Sequence, residues 1–164
     1  MRISGHRVRE HIRLLAPALA LVAGIWLLRL IVSVSGVPLW VTKLFSVTVA
    51  IPVAVLLSVI LIHSRRFGGY ASVVVASLLV NLWAQALITL SIMFSIFTGI
   101  INVYSAPEFS IPGGLATQWE HIHGHLTYGL GVGTLVSSAV GCLLLWLLRL
   151  LEPQDDRPRS RPLI

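Results

Sequence analysis

Charge is what this sequence has least of. Charged residues make up 11% of the 164, against about 25% in an ordinary soluble domain, so a water-soluble fold of normal composition is excluded. The length admits one domain and no large module outside it. A single cysteine, Cys142, excludes an internal disulfide and a multi-cysteine zinc site within the chain; lying in an apolar run, it reads as a small packing residue. There is no phosphate-binding loop, no Gly-x-Ser-x-Gly elbow and no His-Glu-x-x-His zinc motif. No aspartate or glutamate falls inside any long apolar segment, which argues against a cation-coupled transporter of the carboxylate type. No internal repeat is present.

What the sequence does have is long apolar runs. A membrane-spanning helix needs about 20 mostly apolar residues, and four segments qualify, at about 14–34, 44–63, 70–98 and 124–149. The expected fold is therefore all-α, a four-helix transmembrane bundle. The N-terminus has the basic-then-apolar look of a signal peptide, but the apolar stretch runs past Arg29 without a small-residue cleavage site, so it reads as an uncleaved first span. The uncharged stretch from Phe67 to Pro107 is long enough for two short helices. No turn cluster interrupts it between Tyr70 and Thr98, which predicts one long helix ending near Gly99. Pro17 and Pro52 fall inside the first two spans, where membrane helices tolerate them.

The formal net charge of +6 is explained by topology, and nucleic acid is not an expected partner. Arg2, Arg7, Arg9 and Arg13 precede the first span, Arg65 and Arg66 join spans two and three, and Arg149, Arg157, Arg159 and Arg161 follow the fourth. Four spans put all ten on one side, leaving Lys43 and the neighbourhood of Arg29 on the other. Positive residues favour the cytoplasm, so the expected topology is N-in/C-in, in a bacterial inner membrane. The chain then divides into a basic arm (1–13), a membrane domain (14–151) with an outer loop at 102–123, and a charged, proline-rich tail (152–164) expected to be disordered.

Three features carry candidate chemistry. Three of the six histidines, His121, His123 and His125, fall within five residues at the outer entrance to span four. Neutral imidazole binds transition metals and haem iron. On a helix His121 and His125 share a face and His123 points away; if Gly124 breaks the helix, all three converge. Glu120 and Glu108 are the carboxylates that could complete a metal shell, so the candidate metal set is His121, His125, Glu120 and Glu108, with a transition metal or haem as the possible cofactor. The plainer reading is that these histidines bond headgroups, water or loop carbonyls.

Second, Gly129, Gly133, Ser137 and Gly141 recur every four residues along span four, the small-residue pattern that lets membrane helices approach closely. Counting back by four reaches His125 and His121. This face is expected to pack against a neighbouring helix, a membrane partner or a second copy of the chain.

Third, Ser77, Asn81, Gln85 and Thr89 make a polar stripe down span three. Arg29 and Gln85 each lie 15 residues past the start of their spans, at Leu14 and Tyr70, about 22 Å from the inner surface. Thr134 falls at a similar depth. Arg29, Asn81, Gln85 and Thr134 are thus expected to form one polar layer, with Arg29 snorkelling, paired with Gln85, or binding an anionic substrate or quinone carbonyl.

The run His123-Gly124-His125-Leu126, followed by Gly129 and Gly131, resembles the His-Ala-His-Leu segment of small bacterial membrane proteins related to the catalytic subunit of haem-copper oxidases. That resemblance covers about ten residues and implies a haem or metal role for His123 and His125. Three functions are then in play. One is a non-catalytic subunit or assembly partner of a membrane complex, possibly an energy-converting one. The second is a metal- or haem-binding redox membrane protein using the outer histidines. The third is a small transporter or channel lined by the span-three stripe.

Overall fold

The computed structural model describes residues 2–3, 5–105 and 115–152. Apart from a two-residue antiparallel pairing of Arg2–Ile3 with His6–Arg7, the secondary structure is helical. Helix α1 spans Val8–Val34, α2 Leu39–Leu44, α3 Val47–Ser64 and α4 Tyr70–Thr98. Next come α5 (Leu115–Gly124), a π-helical stretch (His125–Val132) and α6 (Gly133–Leu150), continuous with one another. Four helices are long and apolar enough to cross a membrane: Val8–Ser33, Trp40–Ser64, Tyr70–Thr98 and Thr117–Leu150. This is the four-helix transmembrane bundle expected from the sequence.

The long uncharged stretch is one helix. α4 ends where Gly99 adopts a left-handed conformation (φ 72°) and its N–H bonds the Ser95 carbonyl at 2.9 Å, a stop that glycine makes without steric cost. Pro17 and Pro52 sit inside α1 and α3 without ending them. Two boundaries differ from expectation. α1 starts at Val8, six residues ahead of the apolar run. α5 occupies Leu115–Gly124, taking up much of what reads as outer loop.

α4 is the central helix and packs on α1, α3, the π stretch and α6. Ala18 and Val22 of α1, Ala54 and Val55 of α3, and Val80 and Ala84 of α4 are buried in one apolar cluster. Leu15, Val59, Val73 and Leu145 anchor a second, against which Cys142 is packed. The opposite faces carry exposed apolar side chains such as Leu135 and Val49, as a bilayer-facing surface does. Lipid removes any hydrophobic drive for helices to associate, so packing and interhelical hydrogen bonds hold such a bundle.

The ends are tied off separately. At the end holding the N-terminus, the α3–α4 loop and the end of α6, His6 stacks on Phe67 with ring centroids 3.8 Å apart. There Arg149 donates to the Gly68 carbonyl at 3.3 Å. At the other end, Trp26 donates to Ser91 Oγ at 3.0 Å, Asn102 Nδ2 to the Ser91 carbonyl at 2.7 Å, and Ser105 Oγ to Ser95 Oγ at 2.8 Å. The last two fold the turn after α4 back onto α4, and Tyr104 Oη, donating to the Trp26 carbonyl at 3.4 Å, ties it to α1.

Candidate functional site

The fourth span faces α4 through the small residues picked out by their spacing. A Cβ on Gly129 would come within 2.7 Å of the Gln85 side chain, and one on Gly133 within 2.8 Å of Asn81 Oδ1. Asn81 Nδ2 donates to Ser137 Oγ at 3.2 Å and to the Ser77 carbonyl at 2.9 Å. A Cβ on Gly141 would meet Val73 of α4 at 2.8 Å and Val59 of α3 at 3.3 Å. The chain's own helices therefore fill the face that the sequence offered to a partner or second copy.

A four-residue repeat this long needs help to stay on one face. In an α-helix, with 3.6 residues per turn, each step of four overshoots by about 40°. From His121 to Gly141 the error would reach roughly 200° and turn one end away from α4. The π stretch takes much of it back. Its i→i+5 bonding widens the turn, so a step of four falls short instead of overshooting, and the two drifts oppose each other. His125, Gly129, Gly133, Ser137 and Gly141 thereby all meet α4.

At the end of this seam away from the N-terminus stand two imidazoles. His121 Nε2 and His125 Nε2 lie 3.1 Å apart, with ring centroids at 4.7 Å. His125 Nδ1 lies 2.8 Å from Gln85 Oε1. An amide oxygen only accepts, so in this contact His125 would donate from Nδ1 and leave a lone pair at Nε2. His121 Nδ1 and Gln118 Oε1 are both buried without a hydrogen-bond partner. Gln118 was not legible as a site residue from composition or motif; its only signal is its position one turn before His121.

The other predicted ligands do not join. Gly124 is helical (φ −58°, ψ −43°), so the helix continues through it. His123 is held on the outside, with its carbonyl accepting from Thr127 Oγ1 at 2.7 Å. Glu120 is exposed, and Glu108 lies outside the described residues. Among the described residues no three histidine, cysteine or acidic side chains converge on one metal position. The site is a pair of imidazoles supported by glutamine.

The separation of the pair is compatible with two neighbouring ligand positions on one ion. Metal–imidazole bonds are about 2.0–2.1 Å, so nitrogens 3.1 Å apart subtend an N–metal–N angle of roughly 100° at a shared ion. This suits neighbouring positions of a tetrahedral or octahedral ion, with the other positions open. It does not suit a linear two-coordinate ion, and two contacting rings leave no slot for a porphyrin between them.

The expected polar layer divides into two levels. Gln85 sits opposite His125 and Gly129, whereas Asn81 sits opposite Gly133 and Ser137, about one turn nearer the other end of α4. Thr134, next to Gly133, belongs to the Asn81 level and not to that of Gln85. Arg29 is higher still. Trp83 donates to the Leu19 carbonyl and Trp26 to Ser91, which places Arg29 abreast of the last turns of α4. The early start of α1 accounts for the displacement. The Arg29–Gln85 pair is not made: the Arg29 guanidinium lies 5.0 Å from the centroid of the Tyr104 ring. Burial pushes the Tyr104 hydroxyl up to about 12, with nearby Arg29 acting in the opposite direction.

No protein-family model, curated protein or solved structure matches this chain. The site must be read on its own geometry.

Proposed function

We propose that this chain is a small multi-pass protein of a bacterial inner membrane, with both ends cytoplasmic, that holds a transition-metal ion at His121 and His125. The observation that carries the reading is the 3.1 Å approach of the two Nε2 atoms beside a 2.8 Å contact from His125 Nδ1 to Gln85. Metal-bound histidines characteristically give their second N–H to a carbonyl or carboxylate, which fixes tautomer and ring orientation. Imidazole suits zinc, copper, nickel and iron. With two protein ligands, the remaining positions fall to water or to an external ligand.

The orientation rests on the basic residues. Arg7, Arg9, Arg13, Arg65, Arg66 and Arg149 gather at one end of the bundle, the end that positive charge assigns to the cytoplasm. The transporter reading draws less support, because Ser77, Asn81 and Gln85 are shut inside the bundle. The resemblance to haem-copper oxidase relatives also draws less, because it pairs His125 with the outward-facing His123.

The test is a titration of purified protein in detergent with Zn²⁺, Cu²⁺ and Ni²⁺, together with metal analysis and a visible absorption spectrum. One equivalent of one of these ions should bind to the wild type and be lost in the double variant H121A/H125A, with membrane insertion unchanged. A wild type that takes up none of them specifically overturns the metal reading. It would leave a non-catalytic subunit or assembly partner of a membrane complex as the function.

A further inference from the structure

We infer that an open groove between α1 and α4 binds one phospholipid with an anionic headgroup, its acyl chain lying along the groove and its phosphate held by Arg9 and Arg13. The groove shares no residue with the histidine pair, so this site stands whether or not a metal binds there. It has a volume of about 580 Å³ and is walled by Ile12, Ala20 and Ala23 of α1 and by Leu79, Trp83 and Ala86 of α4. These walls are hydrocarbon. The indole N–H of Trp83 is already committed to the Leu19 carbonyl at 3.1 Å, which pins the ring between the two helices. A guest here must be apolar, because a polar group placed against such walls finds no partner.

The length of the groove selects the guest. From Ile12 to Ala23 the helix rises about 16 Å, close to half of a hydrocarbon core about 30 Å thick. One turn beyond Ala23 and Ala86 the helices carry Leu27 and Leu90, 50% and 60% exposed, and neither lines the groove. A partner helix crosses both leaflets and would need a packing face of twice that extent. A slot confined to one leaflet matches one acyl chain.

The mouth supplies the charge. Arg9 precedes Ala16 and Ala23 by seven and fourteen residues, and Arg13 precedes Ala20 by seven, so both arginines stand on the groove's face of α1 at its basic end. Both are exposed. Among the described residues neither is in an ion pair: Glu10 is engaged by His6 and by the Arg7 N–H, and Glu152 faces Arg66 at 3.8 Å. Guanidinium grips phosphate oxygens through paired N–H bonds. Each basic residue at a membrane surface favours an anionic lipid by about five-fold.

The experiment reconstitutes the full chain in phosphatidylcholine vesicles with rising fractions of phosphatidylglycerol brominated in its acyl chain, and reads tryptophan quenching. The share of Trp83 is the difference between wild type and Trp83→Phe. Brominated phosphatidylglycerol should quench Trp83 at least about ten-fold more effectively than brominated phosphatidylcholine, as two arginines predict. The double variant R9Q/R13Q should bring the two lipids to parity. Ala20→Phe, which fills the groove from an exposed position, should reduce quenching by both. Native mass spectrometry of wild type released from mixed micelles needs no variant and should show one phosphatidylglycerol retained in preference to phosphatidylcholine. Equal quenching or equal retention of the two lipids by wild type overturns the inference, as does a preference that survives loss of both arginines. A Trp83 that neither lipid quenches also overturns it, and would mean that a second copy or another protein covers the groove.

Discussion

Asn81 of α4 lies directly over Gly133 of α6, its amide oxygen 2.8 Å from where a glycine-replacing Cβ would stand. Asn81 is buried and its Nδ2 is committed to Ser77 and Ser137, so it has little room to give way. Gly133→Ala should therefore destabilise the bundle by about 1–3 kcal/mol, the usual cost of overpacking. Gly131→Ala, where a Cβ meets nothing within 4 Å, should change stability far less. Unfolding midpoints in mild detergent compare the two; equal midpoints would mean that α4 and α6 do not pack through Gly133.

Gln85→Leu should cost about 1 kcal/mol, because it leaves the half-buried His125 ring without its amide partner. Gln85→Glu, which keeps an acceptor, should cost less. The same unfolding assay checks both, and a leucine variant as stable as wild type would remove Gln85 from the site.

The turn after α4 should be sensitive to alkali. Tyr104 is held up to about 12, chiefly by burial, against about 10 in an unfolded chain. A folded value above the unfolded one stabilises fully below pH 10 and is lost as pH rises toward 12. Phenolate absorbance should accordingly show one tyrosine titrating late. Arg29→Leu removes the charge that favours phenolate, so its effect should be to push that titration later still.

Orientation can be checked directly. A reporter fused after Ile164 should read cytoplasmic, and one inserted near Gly113 should read outside. An outside reading at Ile164 would sink the proposed topology.

Much of this was legible in the sequence because membrane helices are written in run length. The apolar segments gave four spans, and Gly99 marked the end of the longest. Spacing by four put His121 beside His125 and the small residues on one packing face, but did not say that α4 covers it. Two things were hidden. The start of α1 at Val8 lies among His11 and Arg13, polar residues that an apolar-run criterion discards, and that error carried Arg29 to the wrong depth. The π stretch has no propensity signature of its own. Its trace was the repeat itself, since four is longer than the 3.6 residues of an α-helical turn.

The π stretch also makes this protein unusually vulnerable to changes of length. Removing one residue anywhere in 125–132 would rotate everything on its α5 side by roughly a quarter-turn relative to α6. His121, and any of His125 and Gly129 lying beyond the cut, would swing away from Gln85 although none of those residues had been replaced. A substitution at an exposed position such as Tyr128 or Val132 should be absorbed; deletion of the same residue should not. Along this segment the number of residues carries information that their identity does not, and a tally of substitutions alone would underrate it.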